Sequence, residues 1–167
     1  MKNCVLTALL VLSFALVPAF AGFFGPSVDF ATTNDVRFVL NWGHIPTDQK
    51  YSVVHSYRTA PHFNGDHLTA FAIQLETFPE SLLQTKQSPR WIRGPATNSA
   101  FADALKGAHV EAFSDKLTWF PDESELNSEQ FYLHFAKVSL VDGEVNAADI
   151  IAFDRHRKVL YYISFKH

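Results

Sequence analysis

The sequence predicts an α+β domain: a curved antiparallel β-sheet of five or six strands packed against one or two helices. Three observations carry that prediction. Apolar and polar residues alternate with period two in runs towards both ends of the chain, the pattern of half-buried strands. Apolar residues at helical spacing are confined to the middle, so strands and helices do not alternate as βαβ units would. From Phe131 onward, three alternating runs are separated by Asp142-Gly143 and by the charged stretch Asp154–Lys158, which reads as a three-stranded antiparallel meander.

The chain opens with Lys2 and an apolar run from Val5 to Val17 broken only by Thr7 and Ser13. Pro18 then breaks the helix, and Ala19-Phe20-Ala21 offers small residues at both positions a signal peptidase reads. Residues 1–21 are therefore expected to be a cleaved secretory signal peptide, and residues 22–167 a single domain. The destination is the periplasm or the extracellular space. The only cysteine, Cys4, leaves with the leader. A cysteine-free mature chain must stand on its core without disulfides, which favours a bacterial envelope setting. No later apolar run reaches the ~18 residues that span a bilayer.

Gly22–Asp35 reads as an irregular lead-in that turns polar at Thr32-Thr33-Asn34-Asp35. Val36, Phe38, Leu40 and Trp42 alternate with Arg37 and Asn41, which predicts a strand over 36–42. Gly43–Lys50 holds Gly, Pro and Asp and is a loop. Tyr51–Arg58 alternates again; Pro61 and Asn64-Gly65-Asp66 then signal a turn. His67–Phe78 is a long strand with Thr69, Phe71, Ile73 and Leu75 on one face. Pro79–Leu83 suits one helical turn, with Pro79 near its first position. Trp91 and Ile92, between Arg90 and Arg93, form an apolar plug.

Thr97–His109 is the clearest helix, capped by Asn98 or Ser99, with Phe101, Ala104, Leu105 and Ala108 as its apolar stripe and Gly107 near its end. Lys116–Phe120 reads as a short strand stopped by Pro121, and Asp122–Glu129 as an exposed acidic stretch. Phe131–Leu140, Asp149–Phe153 and Val159–Phe165 make the meander. Tyr161 and Tyr162 point to opposite faces, so one should be buried and the other exposed or under a helix.

Composition excludes several functions. The net charge of −3 is mild, and loss of Lys2 would leave 13 basic residues against 17 acidic ones. That supplies no basic field for nucleic acid. Neither a Gly-rich phosphate loop nor a Gly-x-Ser-x-Gly elbow occurs, so no cofactor is expected.

Three groupings could carry chemistry. His55, His62, Asp66 and His67 offer nitrogen and oxygen donors, and a metal would need at least three of them at about 2 Å. The plainer reading has His62 and His67 solvating a turn and His55 packing at a sheet margin. No metal is expected, and these four residues are the alternative ligand set. The second grouping pairs His55, His67 or His134 as a base with a carboxylate such as Asp149, because imidazole titrates near neutrality. The third is an aromatic-lined concavity built from Trp42, Trp91, Trp119, Tyr132 and Tyr162, with Arg93 at its rim to hold an anionic group.

Scattered polar residues, abundant rings and the absence of a catalytic motif favour a non-enzymatic module that binds a small apolar ligand or another envelope protein. A small His/Asp-dependent hydrolase or isomerase is the competing reading. A structural subunit of an envelope assembly is the third.

Overall fold

The computed structural model describes residues 31–59, 65–84 and 91–167; the expected leader and His62 lie outside the described residues. The element order is helix α1 (Thr33–Trp42), strands β1 (Tyr51–Arg58) and β2 (His67–Leu75), helical turn α2 (Ser81–Gln84), and strand β3 (Ile92–Arg93). Helix α3 (Ser99–Ser114) and helical turn α4 (Glu123–Leu126) follow, then strands β4 (Phe131–Val141), β5 (Glu144–Asp154) and β6 (Val159–Lys166). All six strands form one antiparallel sheet in the order β1-β2-β6-β5-β4-β3. The α+β class and the C-terminal meander are as the sequence predicts. Asp142 and Gly143 close the β4–β5 hairpin with φ of +53° and +90°, the left-handed pair a two-residue turn of this hand requires.

The last strand lies at the centre of the sheet. Every residue of β6 from Val159 to Phe165 is buried, which fits a run that is apolar on both faces. Tyr161 and Tyr162 are accordingly both buried, one on each side. Helices cover both faces of the sheet. On the first face α3, Leu117, Phe120 and Leu126 pack on Phe131, Leu133, Ile150, Ile163 and Phe165. On the second face α1 and Ile45 pack with Trp91 on Phe71, Ile73, Ile151, Phe153 and Leu160.

The segment 36–42 is a helix, not a strand. Its buried residues are Val36, Val39 and Leu40, at spacings of three and four, while Phe38 is exposed. The start is a capping box. The Thr32 hydroxyl accepts from the Asp35 amide at 3.3 Å, and the Asp35 carboxylate accepts from the Thr32 amide at 2.8 Å. Alternation misled here because apolar residues at 36, 38, 39, 40 and 42 satisfy either period. The polar run before them was the helix signal.

Lys116–Phe120 is also not a strand. It is the C-terminal cap of α3, which runs on past Gly107 to Ser114. Lys116 takes φ +58°, its amide donates to the Phe113 carbonyl at 3.0 Å, and the Leu117 amide donates to the Ala112 carbonyl at 2.8 Å. This is the Schellman arrangement with lysine in the left-handed position glycine usually holds. His44, φ +57°, ends α1 in the same way, with Ile45 N–H donating to Leu40 O at 2.8 Å. Gly107 stays in the helix for a packing reason. A Cβ there would lie 2.9 Å from Cζ of Phe165.

Candidate functional sites

A bulge in β1 decides which histidines can meet. The β1–β2 register slips between Val53 and His55. Tyr51 and Val53 pack on the α1 face, but Tyr57 packs on the α3 face. His55 follows Tyr57, stacking on Trp119 with ring centroids 5.0 Å apart. His67 instead reaches Ser164 on the α1 face, so His55 and His67 lie on opposite sides of the sheet. Among the described residues no group of three or more His, Cys, Asp or Glu is arranged to hold a metal ion.

Two of the three tryptophans lie near His134. Trp91 is buried, donates from Nε1 to the Gly43 carbonyl at 2.9 Å, and sits 5.5 Å from the His134 ring. Trp42, His44, His134 and Asn41 line one shallow cavity of about 310 Å³. A second bulge, after Phe135, turns Val138 to the α3 face, so it does not share the side of His134. His134 pairs across the sheet with Ile151, whereas Asp149 lies opposite Lys137. Trp119 is on the other side of the molecule, with His55.

Tyr132 and Arg93 line a small cavity of about 230 Å³ with Glu129, Gln130, Arg155 and His156. Arg93 is committed to Glu129, donating to its carboxylate at 2.9 Å and its carbonyl at 3.1 Å. Beneath this rim Asp154, fully buried, accepts from Gln130 Nε2 and from the amides of His156 and Arg157. Its role is to hold the β5–β6 turn.

His67 and Asp149 are joined through two side chains on β6. His67 Nε2 is 3.1 Å from Ser164 Oγ, and its Nδ1 is 3.2 Å from the Gly65 carbonyl. Ser164 also hydrogen-bonds Tyr162, whose hydroxyl donates to Asp149 at 3.1 Å. Burial, and then the Asp149 charge, raise the Tyr162 pKa, so the phenol keeps its proton. The sequence spacing could not suggest this group. His67 and Ser164 are 97 residues apart and meet because β2 and β6 pair.

An apolar concavity lies elsewhere. Ala112, Phe113, Leu117 and Phe120 line a groove of about 520 Å³ at the C-terminal end of α3, rimmed by His109, Lys116, Thr118 and Asp122. Its shape follows from the Schellman cap, which folds the chain back so that Leu117 and Phe120 face the last turn of the helix. Phe113 is 77% exposed. None of these residues stands out by alternation. Their signal was the continuation of the α3 stripe at Ala112, four residues past Ala108.

No protein-family model, curated protein or solved structure matches the chain. Among the described residues no helix is long and apolar enough to cross a membrane.

Proposed function

We propose that the protein is an exported, non-enzymatic binding module that takes the apolar part of a small ligand in the groove beside the end of α3. The observation that carries this reading is the groove itself, about 520 Å³ and walled by Ala112, Phe113, Leu117 and Phe120. That volume falls in the range of small-molecule sites, which are mostly apolar with a few polar groups at the edge. The exposed Phe113 side chain carries the apolar wall of this cavity out to the surface. His109, Lys116 and Asp122 at the rim would meet the ligand's polar end. Export rests on the leader-like residues 1–21.

The test is a thermal-shift screen with fatty acids, sterol-like and aromatic compounds. A ligand at a hundred times its Kd stabilises by about 2.7 kcal/mol, a Tm rise of roughly 5–10 °C at this size. Phe113→Asp should abolish the shift. A flat response across the panel refutes the reading.

A further inference from the structure

We propose that the α3 groove takes a single-chain amphiphile with a carboxylate head, its tail on Ala112, Phe113, Leu117 and Phe120 and its head on the Lys116 ammonium. This rests on the reading of the groove as a ligand site and names the chemistry of the ligand. The tail follows from the walls. Ala112 and Phe113 come from the last turn of α3, and Leu117 and Phe120 from the segment that folds back against it. Phe120 is the fixed side: it meets Trp119 and Tyr161 edge-on, with ring centroids 6.0 Å apart in both pairs. Phe113 is the open side, and an alkyl chain laid between the two would cover its exposed ring.

The head follows from which charges at this end of α3 are already answered within the protein. Asp122 is answered. Its carboxylate accepts from the Glu125 amide at 2.8 Å and the Ser124 hydroxyl at 2.7 Å as the N-cap of α4. Those bonds, with His109 close by, hold its pKa below the ordinary carboxylate value. A cationic head would have to compete with these donors. Two further carboxylates near the end of α3 also have partners: Asp115 hydrogen-bonds the Tyr57 hydroxyl, and Glu111 lies 3.6 Å from the His167 imidazole. The carbonyls of the last helical turn, which would repel an anion if left bare, are capped. Glu111, Ala112 and Phe113 accept from the amides of Asp115, Leu117 and Lys116.

Lys116 is the charge left over. Among the described residues it enters no ion pair. It is rooted where the chain reverses, at φ +58°, at the joint between the helical wall and the returning wall. From there a flexible four-carbon stem carries three N–H donors to the rim, where they suit a carboxylate oxygen. Thr118, also on the rim, offers a hydroxyl donor to the same head. One ammonium matches a monoanion. A phosphate ester would bring more negative charge beside Asp122 than Lys116 can neutralise.

The experiment is calorimetric titration of the full-length protein with three ligands of one tail length, decanoate, 1-decanol and decyltrimethylammonium, each below its micelle concentration. Decanoate should bind about fivefold tighter than 1-decanol, the upper end for an ion pair at an exposed rim, and the cation should bind weakest. Added salt should shrink that preference. Lys116→Asn removes the charge yet suits the left-handed position, and should bring decanoate down to the affinity of 1-decanol. Lys116→Arg should keep the preference, as should Lys50→Gln, which removes a charge paired with Glu76 elsewhere. Circular dichroism must show the variants folded; should Lys116→Asn fail, Lys116→Gly serves in its place. Equal affinities for decanoate and 1-decanol, a preference for the cation, or a preference that survives in Lys116→Asn overturns the carboxylate proposal and leaves the groove a ligand site. Binding of none of the three also overturns it, and the groove reading then stands or falls with the thermal-shift panel.

Discussion

Removing the Asp154 carboxylate should be among the most damaging single changes in the chain, while Asp154→Asn should be nearly silent. Asp154 ends β5 at zero exposure and accepts three hydrogen bonds, from Gln130 Nε2 at 2.8 Å, the His156 amide at 2.8 Å and the Arg157 amide at 3.0 Å. In Asp154→Ala all three buried or half-buried donors lose their acceptor. A bond to a charged group contributes about 1.5–3 kcal/mol, and the losses are not additive, so the expected cost is about 3–5 kcal/mol. The solvent-exposed Arg157 guanidinium at 3.6 Å adds little. In Asp154→Asn the side-chain oxygen still accepts both amides, and Gln130 can turn its carbonyl towards the new NH2 group. That variant should lose about 1 kcal/mol. At this chain length the Ala variant corresponds to a fall of roughly 8–15 °C in Tm. Urea unfolding of the wild type and both variants measures the difference directly. A cost below 1 kcal/mol for Ala, or equal costs for Ala and Asn, would refute the assignment of Asp154 as the acceptor that organises the β5–β6 turn.

Gly107→Ala gains helix propensity but drives a methyl group to 2.9 Å from the Phe165 ring, so chemical denaturation should register a net loss of about 1–2 kcal/mol, relieved when Phe165→Leu is combined with it. Asp35→Ala removes both the N-cap partner of Thr32 and the 2.8 Å ion pair with Arg58, and should lower stability by about 1–2 kcal/mol in the same assay. Burial of Asp35 pushes its pKa up, but hydrogen bonds from Thr32 and Arg58 outweigh that and hold it below the ordinary carboxylate value. Its contribution is therefore present above about pH 4 and lost as the pH falls through the folded-state pKa, and Asp35→Asn should flatten the acid limb of a Tm-versus-pH curve. Burial first, and then the Asp115 carboxylate, push the Tyr57 hydroxyl up to about 12. The unfolded chain ionises this tyrosine from about pH 10. Stability should therefore decline as the pH rises from about 10 to 12, and Tyr57→Phe should make that decline shallower while leaving the part that the raised Tyr162 phenol contributes.

Local chemistry determined much of the fold without reference to the rest of the chain. The meander was legible because strand alternation and the Asp142-Gly143 turn are short-range properties. The start of α3 was legible in Asn98, whose side chain accepts from the Phe101 amide. The capping box at Thr32 and Asp35 was equally local, yet it was outweighed by an alternation of apolar residues that a helix satisfies as well. Whether 36–42 is a strand or a helix was resolved by what Val36, Val39 and Leu40 pack against, the apolar half of one sheet face.

Tertiary structure alone decided which side chains share a site. One extra residue in β1, at Val54, sends His55 to Trp119 and away from His67, because each step along a strand reverses its facing. Pairing of β2 with the last strand brings Ser164 to a histidine 97 residues earlier. The groove at Phe113 exists because the chain turns back at Lys116 in a left-handed conformation that no residue pattern announced. Periodicity and turn chemistry act over a few residues and can be read in order. Register, sheet order and the meeting of distant side chains depend on which surfaces find each other, and a linear pattern carries no record of that choice.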